Sequence, residues 1–171
     1  PSELPSGTVK YELDQGRLVL MAPPGDEHGR MQYRIAILLF KHAEALGLGE
    51  GRAEVGLILG RNPDRIVGPD AVFFAKRSLP VRTSPEGYLE SIPDLVVEVR
   101  SKNDSSAELW SKAEEYLRAG VSIVWQIDPL HKTVTIFRQR AEPRVLRERD
   151  MLTAKGVIPG FKVAVAELFG S

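Results

Sequence analysis

The chain has 171 residues, of which 43% are hydrophobic, and its 23 Lys+Arg balance 23 Asp+Glu. This length suits one domain over residues 1–171 and is short for two. Because the chain contains no cysteine, it can form neither a disulfide framework nor a thiolate zinc site, so carboxylates would hold any bound metal. The formal charge of zero excludes a uniformly basic nucleic-acid-binding protein but leaves room for a basic patch. No apolar run approaches the roughly 20 residues that span a bilayer, so we expect a soluble, cytoplasmic protein without a membrane partner.

The first predicted elements are a hairpin and a helix. Residues 9–13 and 17–21 are extended runs around the polar turn at 14–16, a pattern typical of a hairpin. After Gly25, apolar residues recur at spacings of three and four, which predicts an amphipathic helix that stops near Gly47. The residues on its apolar stripe are Met31, Ile35, Leu38, Leu39, His42 and Leu46.

Two β-rich runs follow the helix. Residues 54–59 and 66–74 each predict one strand, with a turn over 60–64 between them. Residues 76–93 contain three prolines and a glycine, so we expect an irregular surface excursion there. Long loops of this kind often carry function.

The centre of the chain predicts a parallel crossover. Residues 94–100 and 121–127 are nearly continuous apolar runs, and the helix between them should begin near Asp104 or Ser105 and end before Gly120. Strand, helix and strand in this order imply a right-handed parallel connection. Residues 133–137 and 145–148 are predicted as edge strands, and residues 158–169 as a closing cap. The buried stripe of the helix is predicted to contain Leu109, Ala113, Tyr116 and Leu117.

A carboxylate inside an apolar run is the main anomaly of the sequence. Glu98 lies between Val97 and Val99 in a segment that otherwise has the composition of a core strand. Burying an ionised glutamate without a partner is strongly unfavourable, so such a residue is normally paired, protonated or bound to a cation. A salt bridge to an arginine, or a place on an edge face, would explain Glu98 equally well.

Asp70 supplies a second carboxylate, 28 residues before Glu98. If the two strands are neighbours, side chains at matching heights have Cβ atoms about 4.5 to 5.5 Å apart, close enough to share a cation. Two carboxylates suit Mg²⁺, whose shell is usually completed by water and substrate phosphate oxygens. Taken alone, Asp70 would be a turn aspartate after Pro69.

Lys112 is the third candidate, 14 residues after Glu98. On a helical projection it lies about 60° from Leu109 and about 40° from Tyr116, at the margin of the buried stripe. From that margin its ammonium could reach the sheet. The alternative is a lysine that keeps its stem on apolar surface and its charged head in solvent.

These residues, with others along the chain, form a set of motifs with a recognisable order. The central motif contains Glu98, Arg100, Ser101, Lys102, Asp104, Lys112, Tyr116, Gly120, Trp125, Asp128 and Pro129. The flanking motifs contain Tyr11, Glu12, Gly16, Met21, Pro23, Pro24, His28, Pro69, Asp70, Leu152, Pro159, Gly160, Phe161 and residues 165–169. Over nearly the whole chain this order resembles the Uma-two family of the PD-(D/E)xK nuclease superfamily.

The resemblance implies a fold and a set of roles. The fold would be an α/β (α+β) restriction-endonuclease-like core, with a mixed central sheet flanked by helices, an N-terminal hairpin and C-terminal strands. Asp70 and Glu98 would bind Mg²⁺ or Mn²⁺, and Lys112 would replace the lysine usually found two residues after the glutamate. That position holds Arg100, whose guanidinium stays protonated and cannot act as a base. Lys102, where the family would have proline, offers a competing ammonium.

Further residues match family positions or carry positive charge. Glu12 is expected as a metal ligand and His28 as a further candidate, although a hairpin surface acid and a polar residue at a helix start are equally simple explanations. Basic side chains on the first helix and the long loop could contact phosphates, or could simply be solvated. They are Arg30, Arg34, Lys76, Arg77 and Arg82.

The function implied is metal-dependent hydrolysis of phosphodiester bonds in nucleic acid, with DNA as the expected substrate and a homodimer as a plausible assembly. The alternatives are a nuclease fold that binds nucleic acid without cleaving it, and a structural or regulatory oligomer.

Overall fold

The computed structural model describes residues 10–21, 23–80, 87–102 and 104–170. The strands are β1 (Lys10–Asp14), β2 (Arg17–Met21), β3 (Gly49–Ala53), β4 (Leu57–Gly60), β5 (Arg65–Val67), β6 (Ala71–Ala75), β7 (Leu95–Val99), β8 (Ile123–Asp128), β9 (Thr133–Arg138), β10 (Ala141–Leu146), β11 (Met151–Thr153) and β12 (Lys162–Ala164). The helices are α1 (Asp26–His42), α2 (Ser106–Ala119) and α3 (Val165–Phe169).

A six-stranded mixed sheet in the order β10-β9-β8-β7-β6-β3 forms the centre of the structure. β7 and β8 pair in parallel through α2, as predicted, and the other neighbours are antiparallel. Side chains alternate between two core clusters, one containing α1 and α3 and the other containing α2. Val97 therefore packs with the α1 cluster, whereas Val96 packs with Tyr116 of α2. This is the mixed α/β architecture expected from the resemblance.

The predicted N-terminal hairpin is confirmed. β1 and β2 pair in regular antiparallel register around a two-residue turn, in which Gln15 and Gly16 have φ of 47° and 79°. The hairpin belongs to a second sheet in the order β2-β1-β5-β4, and β11 and β12 form a small third sheet. Within the described ranges, no helix is long and apolar enough to cross a bilayer.

The strand predictions between residues 49 and 74 needed correction. Residues 66–74 form two strands in different sheets, because β5 ends before Gly68 and Pro69 cannot donate a ladder hydrogen bond. The strand expected over 54–59 is β4, shifted towards the turn, and β3 was not predicted. Gly49 explains why β3 was missed: a Cβ there would collide with the backbone of Phe74, so this glycine allows β3 to pack closely rather than only marking the end of the first helix.

The observed helix ends and C-terminal strands agree with the sequence predictions in part. α2 begins at the Ser105 N-cap, whose hydroxyl and Glu108 form a capping box, and ends at Gly120 with φ of 111°, as predicted. α1 ends at His42, earlier than expected, and Leu46 lies exposed in a short 3₁₀ turn. Of the two strands predicted to lie at an edge, only β10 does so, because β9 lies between β8 and β10. The excursion after residue 76 starts with a 3₁₀ turn, and its residues 81–86 lie outside the described part.

Candidate active site

Asp70 and Glu98 lie at the same end of the central sheet. β6 and β7 pair with Ala71 opposite Val97, and continuing this register by one position places Asp70 opposite Glu98. Both side chains are buried, with 9% and 6% of the residue surface exposed. The expectation of two carboxylates at matching heights on neighbouring strands therefore agrees with this geometry.

Asp70 is held by donors from α1 and from β7. Its Oδ1 lies 2.8 Å from His28 Nε2 and accepts a hydrogen bond of 2.5 Å from the Gln32 amide. Its Oδ2 accepts the Val99 backbone N–H at 2.6 Å. His28 and Gln32 are four residues apart, so both point from one face of α1 towards the carboxylate.

Glu98 is held by two residues of α2. The Tyr116 hydroxyl donates to Oε1 at 2.5 Å, and the Lys112 ammonium lies 3.1 Å from the same oxygen. Burial raises the pKa of Glu98 to about 7, and the negative charge of Asp70 adds to the rise. The Lys112 ammonium and the Tyr116 hydroxyl offset only part of this effect. Near neutral pH the Glu98 carboxyl therefore exchanges a proton readily.

The Lys112 ammonium lies between two buried carboxylates. Nζ is 3.0 Å from Glu12 Oε1 and 3.1 Å from Glu98 Oε1. Burial alone would lower the pKa of Lys112, but the charges and hydrogen bonds of Glu98 and Glu12 outweigh it and raise the pKa. The lysine is therefore a permanently charged group turned towards the sheet, which differs from the solvated head of the alternative interpretation.

Glu12 occupies an environment unlike the one expected for a metal ligand. Its Oε1 contacts Lys112 and also accepts the Gly68 N–H at 3.2 Å, while its Oε2 lies 3.6 Å from an Arg65 guanidinium nitrogen. Arg65 in turn forms a bidentate pair with Glu115, at 2.6 and 2.8 Å. Because Glu12 faces two cations and a backbone donor, its position suits an anchor for Lys112.

His28 connects Asp70 to the loop after β7. Its Nδ1 lies 3.1 Å from the Ser101 hydroxyl, and its Nε2 contacts Asp70. Burial would lower the pKa of His28, but the hydrogen bond and charge of Asp70 raise it overall. An imidazole fixed at both nitrogens orients the Asp70 carboxylate.

The two cations nearest Glu98 in sequence point elsewhere. Arg100 pairs with Asp128 at 3.0 Å and donates to the Asp104 carbonyl at 3.2 Å, so it fastens the loop after β7 to the end of β8. Lys102 is exposed on that loop. Neither residue has a contact with Asp70 or Glu98 of the kind that Lys112 makes.

The basic residues expected around the cleft are dispersed. Arg30 is exposed on α1, whereas Arg34 donates to the Glu167 carbonyl of α3. Lys76 and Arg77 follow the far end of β6, and Arg77 pairs there with Asp94 at 3.3 Å. A whole strand therefore separates these two residues from Asp70, and their contact with phosphates stays a prediction. Arg82 lies outside the described residues.

Three contributors to the site were missed from the sequence. Gln32 follows His28 by four residues, so helical spacing could have identified it. The hydrogen bond from the Tyr116 hydroxyl to Glu98 was not predicted, because the sequence assigned this residue only to the apolar stripe of the helix. Arg65 carries no local signal, since its partners come from β1 and α2.

The donor set fits a divalent cation held by two carboxylates. Across the described residues, no group of three or more His, Asp or Glu side chains is placed to hold a metal. Mg²⁺ commonly binds through one or two carboxylates, with water and phosphate oxygens as its other ligands. Burial is the main cause of the raised pKa of Glu98, and the repulsion by Asp70 that adds to it is an interaction that a cation near both carboxylates would relieve. Asp70 and Glu98 thus suit an ion that keeps most of its water ligands, rather than one surrounded only by protein ligands.

Comparisons with known proteins identify the class of fold first. The structure is similar to the crystal structure of a protein from Anabaena variabilis described as a putative nuclease, with a TM-score of 0.83 and 19% sequence identity over 98% of this chain and 94% of that chain. This similarity shows that the two chains share a fold. The model of the Uma2 family, described as "Putative restriction endonuclease", matches residues 2–166, and the chain belongs to this family. No curated protein matches the chain.

Proposed function

We propose that the protein is a metal-dependent endonuclease that hydrolyses phosphodiester bonds in nucleic acid, with DNA as its substrate. The observation that carries this proposal is the convergence of Asp70 and Glu98 with the Lys112 ammonium at one end of the central sheet. Membership of the Uma2 family supports the nuclease class.

In the proposed reaction, Asp70 and Glu98 hold Mg²⁺ or Mn²⁺. When bound, the ion polarises the phosphate and lowers the pKa of the attacking water. His28 and Gln32 keep the Asp70 carboxylate in place from α1, and the Val99 N–H fixes its second oxygen. The carboxylates are thus preorganised by neighbours on rigid elements.

Lys112 acts as an electrostatic group in this proposal. Because its pKa is raised, the ammonium keeps its protons and cannot accept one from water. It can donate hydrogen bonds to a water molecule or stabilise the negative charge that develops on the phosphate. Glu12 fixes the direction of the ammonium from β1.

A cleavage assay tests the proposal. Purified protein is incubated with single-stranded, double-stranded and supercoiled DNA and with RNA, each with Mg²⁺, with Mn²⁺ or with chelator. We expect metal-dependent cleavage of DNA, and a loss of about a hundredfold or more in Asp70→Asn, Glu98→Gln and Lys112→Ala, as for other removed transition-state contacts.

Lys102→Ala is the matched control, since it removes an exposed lysine from the same segment. Its activity should stay at the wild-type level. Loss of activity in Lys102→Ala with an active Lys112→Ala would reassign the lysine, and cleavage that survives Glu98→Gln would contradict the proposed site. Metal-dependent binding without cleavage of any substrate would favour a nuclease fold that only binds nucleic acid.

A further inference from the structure

The outer strand of the N-terminal hairpin is apolar and exposed. β2 ends the sheet order β2-β1-β5-β4, and no described strand lies beyond it. All five of its residues are exposed, including four consecutive hydrophobic ones. Their exposed fractions are 46% for Leu18, 42% for Val19, 67% for Leu20 and 39% for Met21.

The edge of β2 lacks the features that normally prevent pairing with another strand. Soluble proteins protect such edges with proline, lysine, β-bulges or very short strands. β2 contains no proline or lysine, its one charged residue, Arg17, lies next to the turn, and its register against β1 is regular over all five residues. An edge of this kind offers both a backbone template and an apolar surface to a partner.

The backbone geometry selects the residues that would pair. In a hairpin closed by two residues, the pair that flanks the turn, here Asp14 and Arg17, exchanges both backbone hydrogen bonds, and the pattern then alternates. Val19 therefore bonds inward to β1. Leu18 and Leu20 direct their N–H and C=O groups outward.

We propose that β2 is the interface of a homodimer, in which two copies pair antiparallel with Val19 on the two-fold axis. In this register Leu18 of each copy faces Leu20 of the other, and the outward groups of these residues form four backbone hydrogen bonds. The sequence Leu-Val-Leu is symmetric about Val19, so the strand is complementary to itself.

The charges are compatible with the same register. Arg17 of each copy faces Met21 of the other, so the two guanidinium groups lie at opposite ends of the paired strands and do not repel each other closely. The two four-stranded sheets would join into one of eight strands. A second copy of the chain is therefore the occupant that this edge fits.

Sedimentation of the full-length protein over a wide range of concentration is the first test. The wild type should form a dimer, and Leu20→Lys should weaken its association by at least about tenfold, since a lysine on the edge strand opposes pairing. Leu46→Lys is the matched control, because Leu46 is also 67% exposed but lies on the turn after α1. A wild type that stays monomeric, or a dimer weakened equally by both substitutions, would overturn the proposal.

Cross-linking tests the register without disturbing the fold. The chain has no cysteine, so Val19→Cys and Leu18→Cys each introduce a single thiol. Residues opposed across a non-hydrogen-bonded pair have Cα atoms about 4.5 Å apart, within the range of a disulfide. Val19→Cys should therefore give a covalent dimer under mild oxidation. The two copies of Leu18 are offset along the strands, beyond the roughly 7 Å that a disulfide tolerates, so Leu18→Cys should react far more slowly. Equal or faster cross-linking of Leu18→Cys would overturn the register.

Discussion

The two ends of the β6–β7 pair both contain buried aspartate, but in different surroundings. At one end Asp94 accepts the Ala75 N–H at 2.8 Å and contacts Arg77 and Ser78, so donors from one short segment satisfy it. At the other end Asp70 faces Glu98, and their partners come from α1, α2 and β7.

The difference shows what distinguishes a candidate site from a structural carboxylate. Asp94 has one cation and a backbone donor, which together stabilise a turn. The Asp70 and Glu98 end brings two carboxylates close enough for one to raise the pKa of the other. Burial of an acid is common to both ends, whereas convergence of charges from distant elements occurs at only one of these two ends.

The largest expected effect is a difference in cleavage activity between variants at the two ends of the β6–β7 pair. Asp70→Asn should lower metal-dependent cleavage by about a hundredfold or more, equivalent to roughly 2.7 kcal/mol in the barrier. Asp94→Asn should cleave at nearly the wild-type rate but unfold more easily, by about 1–3 kcal/mol, because the Ala75 N–H loses a charged acceptor. Initial rates and urea unfolding measure the two effects. An equal loss of activity in Asp70→Asn and Asp94→Asn would contradict the proposed difference between the two ends of the strand pair.

The pH dependence of stability should identify Glu98. Its pKa is about 7 in the folded protein and 4.5 ordinarily, so between these values the native state holds a proton that the unfolded chain releases. Stability should therefore fall by a few kcal/mol as pH rises from about 4.5 to 7, at about 1.4 kcal/mol per pKa unit.

One further titratable group, His28, affects how this curve is interpreted. His28 acts in the same direction, because the stability from its raised pKa is present below 6.5 and is lost as pH rises through the folded pKa. Glu98→Gln should remove most of the decline and keep the part due to His28. Urea unfolding at several pH values measures this, and an unchanged slope in Glu98→Gln would contradict the assignment.

Metal binding should stabilise the wild type through Glu98. At a hundredfold excess over its Kd, a ligand specific for the native state adds about 2.7 kcal/mol. We expect Mg²⁺ or Mn²⁺ to raise the thermal midpoint of the wild type and of Asp94→Asn, and to leave Glu98→Gln unchanged. A similar rise in Glu98→Gln would exclude this residue as a ligand.

The smallest expected effect concerns the Tyr116 hydroxyl. Tyr116→Phe removes the donor to Glu98 Oε1 and should destabilise the protein by about 1–2 kcal/mol at pH 8, where the acceptor is charged. The loss should be smaller at pH 5, where Glu98 is protonated. Unfolding at the two pH values checks this, and an equal loss at both would indicate that the hydroxyl contributes independently of the charge.

Local signals in the sequence predicted the elements that depend on local physics. The hairpin turn and the caps of α2 involve residues within a few positions of one another, such as Ser105 and Glu108. The division of residues 66–74 between two sheets depends on which neighbours each half meets, and no local pattern records this. β3 was missed because Gly49 fits tightly against Phe74, a contact between distant residues.

For the candidate site too, the sequence predicted the features that depend on local patterns and missed those that depend on distant contacts. The apolar run around Glu98 and the strand that follows Asp70 predicted that the two carboxylates would meet if their strands were neighbours, and helical geometry placed Lys112 at the margin of the core. The partnership of Lys112 with Glu12 depends on docking of the hairpin against α2, which the sequence does not reveal. For this reason the contact between Glu12 and Lys112 was not foreseen, and the expectation that Glu12 binds metal stays a prediction.

The contact between Lys112 and Glu12 joins residues 100 positions apart. During synthesis from the N-terminus, the ribosome makes Glu12 100 residues before the lysine, Asp70 42 residues before it and Glu98 14 residues before it. An unfinished chain therefore carries the carboxylates without the ammonium between them. The timing of translation thus keeps the proposed catalytic group unassembled until most of the polypeptide exists.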